Sequence, residues 1–473
     1  MGIYMRRFAR PLSAILCVLA NAIIISMFSF AQAEEARELV GTEVAVAVSG
    51  GISAASVRDG ARDSFVNLPG DSFVTLESET PFRAIYLVWD KIPGAWVLGT
   101  EEEQIIRDAG FLHEAVILDA DVMNAEIHVG AGGASLCEIY VFTDGEMPAW
   151  VQVWEPILDR ADLLALPTHA DDEHLFFGGI LSTYAGELGL RVQVAYMTHH
   201  WDDRVRPHEL LDGLWTVGVR NYPLISEFPD LYASKDSLVA AENAYNRGKI
   251  LEFQVELLRR FRPRVVVGHD LNGEYGHGAH ILNAVTLVEA LKLSGDETSY
   301  PESAEKYGVW DVLKCYLHLY QENRIVIEWD EPLEKFGGKT AFEMAVEGFS
   351  KHVSQQQYFA VQRGGTWQDC RIFGLAHSLV GLDSEGNTNL FENVDMTPEP
   401  TPTPEPTPAP TPTPTSKPTF APLTPTPSPT GQPQDKPRDP IDKFNAEIRL
   451  MVLIVLGIVL LVILLIRISR RHK

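Results

Sequence analysis

Between about residues 36 and 155 the apolar positions fall in short alternating runs: Glu43–Val48, Phe73–Leu76, Ala84–Trp89, Ala125–Val129 and Cys137–Phe142. Gly, Pro, Asn and Asp separate them. A period of two bounded by turn residues predicts strands, and several such strands in succession predict a β-sandwich over 36–155, with Ile85–Asp90 as a central strand. From about residue 161 to 393 the pattern changes. Buried-strand runs at 163–167, 192–198, 264–268 and 312–317 alternate with stretches of helical period at Leu175–Leu188 and Asn243–Phe261. That alternation predicts an α/β domain, a Rossmann-like parallel sheet with helices on both faces.

Two apolar runs lie outside these regions. Arg6, Arg7 and Arg10 precede an apolar stretch from Ala14 to Phe30, and Ala31-Gln32-Ala33 has the small-x-small form of a cleavage site. This predicts a signal peptide over 1–33. Leu450 to Ile466 carries no charge and is followed by Arg467, Arg470, Arg471 and Lys473. It predicts a transmembrane helix over 447–467 with a cytoplasmic tail at 468–473. The Thr-Pro and Glu-Pro repeats of 396–440 favour extended polyproline II. At ~3.1 Å per residue they form a stalk on the order of 100 Å long. The expected protein is a single-pass protein of the cell membrane with its globular part outside.

The chain has 473 residues, 45% of them hydrophobic and 22% charged, with a formal net charge of -25. That charge excludes nucleic acid as a partner, because phosphate binding needs a basic face. Beyond the leader, Cys137, Cys315 and Cys370 remain. An odd number in an exported chain argues against a disulfide framework, with a Cys315–Cys370 bridge left open.

Chemistry concentrates in two segments. Thr168-His169-Ala170-Asp171-Asp172-Glu173 follows the first α/β strand, and Gly276-His277-Gly278-Ala279-His280 follows the strand ending at Gly268. Loops at the carboxyl ends of parallel strands are where such sheets bind ligands. Two His and one Asp are good zinc donors, and a neighbouring carboxylate can accept a proton from water that the metal acidifies. The alternative for the first segment is that Asp171 or Asp172 simply caps the next helix. His199-His200-Trp201-Asp202-Asp203 follows the strand ending at Thr198 and is expected to rim the same crevice. Neither His113-Glu114 nor His208-Glu209 is completed to His-Glu-x-x-His, so a zincin reading fails.

Residues 161–360 resemble the PIG-L/LmbE-like zinc N-deacetylases. The family's first motif, Ala-His-Pro-Asp-Asp-Glu, stands here as Thr168–Glu173, and its second, His-Pro-Asp-His or His-Gly-Asp-His, as His277–His280. Arg206-Pro207-His208-Glu209-Leu210, Phe228-Pro229-Asp230, His269-Asp270 and Val353-Ser354-Gln355 add to the likeness. The segment before it looks like the discoidin or galactose-binding jelly-roll type, which implies either a sugar-binding module or a structural domain packed against the α/β domain. The family resemblance implies Zn2+, or another divalent transition metal, held by His169, Asp172 and His280. It implies Asp171 as general base, His277 as the group that stabilises the oxyanion or protonates the leaving amine, and Arg206 and Asp230 as substrate contacts. The implied reaction is hydrolysis of the N-acetyl amide of a GlcNAc-type amino sugar. Joined to the predicted topology, this gives a bacterial cell-surface enzyme whose partner is an N-acetylated envelope glycan or glycoconjugate.

Two positions depart from the family pattern. Ala170 replaces Pro, and Ala279 replaces an Asp between the two histidines. If that Asp tunes His277, Asp270 or Glu274 is expected to substitute for it. Two rival functions are a zinc amidase acting on another acyl-amine and an inactive surface glycan-binding protein.

Overall fold

The computed structural model describes residues 34–397, apart from 102, 109, 366 and 367. The predicted signal peptide, transmembrane helix and nearly all of the stalk lie outside the described residues. Among the described residues no helix is long and apolar enough to cross a membrane.

The first sheet contains β1 (Val44–Val48), β2 (Val66–Leu68), β3 (Phe73–Trp89), β4 (Trp96–Gly99), β5 (Gln104–Arg107), β6 (His113–Val129) and β7 (Ala134–Phe142). The strands are antiparallel in the order β2-β7-β3-β6-β4-β5, with β1 also paired to β3. The runs at Phe73–Leu76 and Ala84–Trp89 are one strand of 17 residues, not two. Hydrogen bonding therefore joins all seven strands into one sheet, where the sequence pattern suggests two. The reason lies in breaks of register at Glu77/Phe82 and Phe82/Ala84, which let β3 continue round a corner. Before the breaks Val74 and Leu76 face the apolar core; after them Ile85, Leu87 and Trp89 do. The first half of β3 pairs with β1 and the second with β7, so Ile85–Trp89 is indeed central.

The second sheet contains β8 (Leu163–Ala165), β9 (Val192–Tyr196), β10 (Leu224–Ile225), β11 (Val265–Gly268), β12 (Lys314–His318), β13 (Arg324–Val326) and β14 (Ile372–Ser378), ordered β10-β9-β8-β11-β12-β14-β13. β10 to β12 are parallel, as the alternating pattern predicts, while β14 and β13 close the edge antiparallel. Leu163, Ala165, Val265 and Val267 join one apolar cluster, and Leu164, Leu166 and Val266 another. Both faces are thus covered. Chain order reverses between β8 and β11, and this switch point is where a doubly wound sheet opens its ligand crevice.

The helices are α1 (Asp172–Leu175), α2 (Arg206–Thr216), α3 (Leu238–Ala244), α4 (Arg247–Phe261), α5 (Gly278–Leu293), α6 (Pro301–Tyr307) and α7 (Ala341–Phe349). The helix expected at Leu175–Leu188 is broken into α1, a turn and a π-helical turn at Ser182–Glu187. Gly178, at φ +55°, and Gly179 let the chain pass Trp329, Cys370 and Ala341; a Cβ at Gly179 would lie 2.5 Å from that of Ala341. The stretch expected as Asn243–Phe261 starts at Arg247 instead, because the Asn246 side chain caps α4 by accepting from Lys249 N–H. Cys137, Cys315 and Cys370 are all buried free thiols, which closes the Cys315–Cys370 question.

The two sheets meet across α2. Arg62 pairs with Asp212, Trp215 Nε1 donates to Ala149 O at 2.8 Å, and Leu112 N–H donates to Tyr222 Oη at 3.1 Å. His113 Nε2 lies 2.7 Å from His208 Nδ1, and Tyr86 Oη 2.8 Å from His113 Nδ1. The two histidines that failed as zincin motifs are thus partners in the domain contact. Burial and Arg62 hold His208 down at about 3, and burial, Arg62 and His208 hold His113 well below its ordinary range. Both rings stay neutral in the fold, whereas the unfolded chain protonates them below 6.5. Their contribution is therefore present above that pH and lost as pH falls, at about 1.4 kcal/mol per pH unit for each ring. Urea titrations between pH 7 and 5 should show stability falling with acid, and His208→Gln should reduce that slope; an unchanged slope would refute the linkage.

Candidate metal centre

The loop leaving β8 and the loop leaving β11 converge at the switch point. Asp172 is the hub. Its Oδ2 accepts backbone N–H groups of His169 at 2.7 Å and Thr168 at 3.1 Å. It therefore binds backward to its own loop and does not cap the following helix. Asp171, at the N-cap position of α1, makes no capping hydrogen bond either, so the capping alternative fails for both residues. Asn283 on α5 steadies the loop by donating to Leu166 O and Thr168 Oγ1, and Thr198 N–H donates to Thr168 O.

Around the hub, His280 Nε2 is 3.1 Å and His169 Nδ1 3.4 Å from Asp172 Oδ2, and the two nitrogens are 3.0 Å apart. A tetrahedral zinc with bonds of about 2.0–2.1 Å places its donors about 3.3 Å apart. The observed triangle fits one face of such a site, so the residues present suit a divalent metal. The local charge agrees. Burial opposes a positive His169, yet Asp172 and Asp230 outweigh it and hold the imidazole up at about 10. The crevice thus favours a cation.

A third histidine, His269, also lies near, with Nε2 3.4 Å from Asp172 Oδ2. Its Nε2 accepts the Thr168 N–H at 3.0 Å, and its Nδ1 faces Glu274 Oε1 at 3.2 Å. His269 Nε2 thus shares the Thr168 N–H with Asp172 Oδ2, and Asp172, His269 and His280 form a second group that could hold the ion. Glu274 also meets His318 Nδ1 at 2.9 Å, and His318 Nε2 is 3.1 Å from Asp369 O. This wholly buried chain props His269 flat against His280, ring centroids 4.5 Å apart.

Asp171 has φ 116°. A non-glycine residue in that region costs on the order of 1–3 kcal/mol, so the surroundings must hold it there. Its N–H donates to Glu173 Oε2 at 2.9 Å, and Arg206 Nη2 lies 3.8 Å from its carboxylate. Burial, then Asp172, raise the Asp171 carboxyl, with Arg206 opposing. Arg206 opens α2 and donates to Ala170 O at 2.7 Å, while its Nη1 is 3.9 Å from Asp230. Asp230 follows β10 and sits 3.5 Å from His169 Nε2. His169, Asp171, Asp172, Arg206, Asp230 and His280 are thus brought together, whereas Trp201, Asp202 and Asp203, expected to rim the same crevice, line neighbouring depressions.

His277 caps α5 in position only, and its ring centroid lies 5.0 Å from that of His169 and 4.7 Å from that of His280. Burial, His280 and His169 hold it low, at about 3, so the ring is neutral and carries a single N–H. The expectation that Asp270 or Glu274 stands in for an Asp at 279 is corrected. Glu274 is bound to His269 and His318, and the Asp270 carboxylate accepts from Asn272. Ala279 is wholly buried in an apolar cluster with Met197, Ile250 and Leu282, so this position faces helix packing. At the other departure, Ala170 supplies an N–H that a Pro would lack, and it donates to His200 Nε2 at 3.2 Å.

A cavity of about 650 Å³ opens over the hub, walled by His169, Asp171, Arg206, Asp230 and His277. Phe176, Tyr232, Tyr275, Tyr358 and Phe359 line it as well, with Lys235 and Asp236 beside them. These aromatics carry no sequence signal, since pattern cannot separate a cavity wall from a core residue. Below the cavity, Glu173 Oε1 lies 3.3 Å from His174 Nε2 and 3.2 Å from His352 Nε2, another cluster invisible to sequence spacing.

Residues 164–291 match the family described as PIG-L: GlcNAc-PI de-N-acetylase. The chain is 28% identical to a 1D-myo-inositol 2-acetamido-2-deoxy-alpha-D-glucopyranoside deacetylase of Catenulispora acidiphila, over 39% of this chain and 63% of that protein. It is 33% identical to one of Saccharopolyspora erythraea, over 31% of this chain and 61% of that protein. The chain spans 60–63% of the length of these curated relatives. Among solved structures it is similar to the N,N'-diacetylchitobiose deacetylase of Pyrococcus horikoshii, 15% identical, with a TM-score of 0.33 over 41% of this chain and 71% of that one.

Elemental analysis of the full chain is expected to find a divalent ion that His280→Ala loses and His269→Gln keeps. Loss in His269→Gln with retention in His280→Ala would reverse the ligand assignment.

Proposed function

We propose that the chain is a metal-dependent N-deacetylase that hydrolyses the N-acetyl amide of an amino sugar of GlcNAc type. The observation that carries the reading is the triangle of His169, Asp172 and His280 with a second, strained carboxylate, Asp171, beside it. The residue 164–291 match and the deacetylases among the relatives support it. A metal held by that triangle, zinc by its donor set, would polarise the amide carbonyl and acidify water.

The chain's own residues supply the rest. Asp171 is a base raised by burial and by Asp172, which suits proton uptake near neutral pH. Arg206 sets its position from one side and orients the sugar with Asp230. His277, neutral, offers its N–H to the oxygen that gains charge when the carbonyl becomes tetrahedral. The tyrosines of the wall give the ring of the sugar an apolar face to lie on. The intact donor set and base speak against an inactive binding protein. We assign the substrate to an envelope or external glycan, outside a membrane, on the strength of the 1–33, 396–440 and 447–467 segments.

Acetate release from N-acetylglucosamine, chito-oligomers and peptidoglycan tests this with the full chain. Asp171→Asn is expected to cut kcat by about 10²–10⁴-fold. Because the base works only when ionised, kcat/KM of the native chain should fall as pH drops below the raised Asp171 pKa. Equal rates for native and Asp171→Asn chains would sink the base assignment, and no acetate from any substrate would sink the reading.

A further inference from the structure

The cavity over the metal centre does not end there. Arg206 and Asp230 also wall a neighbouring depression lined by His199, His200 and Asp203. That depression shares Asp202, Asp203 and Arg204 with a third, larger cleft of about 840 Å³. The third cleft lies between the domains: Asp90, Lys91, Ile92 and Phe111 come from the first sheet's loops, and Trp201, Glu227 and Arg260 from the α/β domain. The three depressions are therefore neighbours with shared walls, reaching from Asp171 and His277 to the loops of the β domain.

The walls of the cleft suit carbohydrate. Trp201 is 36% exposed and Ile92 40%, so both present apolar surface to a ligand. A pyranose ring offers an apolar C–H face to such surface and hydroxyls to charged side chains. Four carboxylates (Asp90, Asp202, Asp203, Glu227) and three cations (Lys91, Arg204, Arg260) line the cleft. That near balance disfavours a polyanion or a strongly basic peptide, and the mix of apolar and hydrogen-bonding side chains matches the two kinds of surface a neutral polyhydroxyl chain presents. The floor is also fixed. Arg204 lies over the Phe65 ring at 4.3 Å and 3.9 Å from Asp90, and Asp203 Oδ1 accepts Val205 N–H at 2.9 Å.

We propose that the interdomain cleft is a binding subsite for further units of the same amino-sugar polymer whose reacting unit lies over Asp172, making the chain selective for oligomers. The proposal rests on the N-deacetylase reading above for the identity of the polymer. It assigns the β domain a share in substrate selection through Asp90, Lys91 and Ile92.

The test uses the full chain. Calorimetric Kd values for chitotetraose and N-acetylglucosamine are measured for the native chain, Trp201→Ala and Ile92→Asp, two variants on opposite walls. Acetate release is followed in parallel. The native chain is expected to bind the tetramer about tenfold more tightly, a difference of about 1.4 kcal/mol, and both variants to bring that ratio towards one. Ile92 is exposed, so its substitution leaves the fold intact, which the melting curve checks. Acetate release without a length preference, or a preference that neither variant changes, overturns the subsite and leaves the deacetylase reading standing. Binding of neither sugar also overturns it. A preference that Ile92→Asp abolishes, with no acetate released, supports the subsite and removes the catalytic reading instead.

Discussion

The structure depends on one buried carboxylate. Asp172 carries its charge almost wholly buried at the base of the cavity, and an ion removed from water costs several kcal/mol unless its surroundings answer it. Two backbone N–H groups and three imidazoles do so. Two of those groups are themselves placed by something further out: His269 by Glu274 and His318, the β8 loop by Asn283 and Thr198. Asp171 must point elsewhere from its neighbour, and its positive φ is how the chain turns two adjacent carboxylates to different tasks.

Helix α2 links this centre to the rest of the molecule. Its first residue, Arg206, reaches the loop after β8, and its next turns present His208 and Asp212 to the β domain. Glu209 on the same helix accepts both the N–H and the hydroxyl of Ser354. The domain contact, the late Ser354 segment and the site therefore share one helix.

Much of this was legible in advance. Two His/Asp motifs after two buried strands locate the centre, because parallel sheets place such loops at one edge. Four of the seven described strands of the α/β domain fall within a residue or two of their apolar runs, while β10, β13 and β14 were not among those runs. The bend of β3 was not legible, since Glu77–Phe82 reads as a polar interruption between two strands. The break after Leu175 was not either. It depends on how close Trp329 and Cys370 come to Gly178, a contact between residues some 150 positions or more apart in the chain.

The departures from the family pattern show the same division. The sequence by itself determined which histidines and carboxylates this chain possesses, because those are identities of residues. Only the tertiary structure decided what they meet. It put Ala279 into an apolar cluster, gave the Ala170 N–H to His200, and turned Glu274 toward His269 and away from His277. Spacing along a chain fixes which residues lie on one loop, but the direction of a side chain follows from what packs against it.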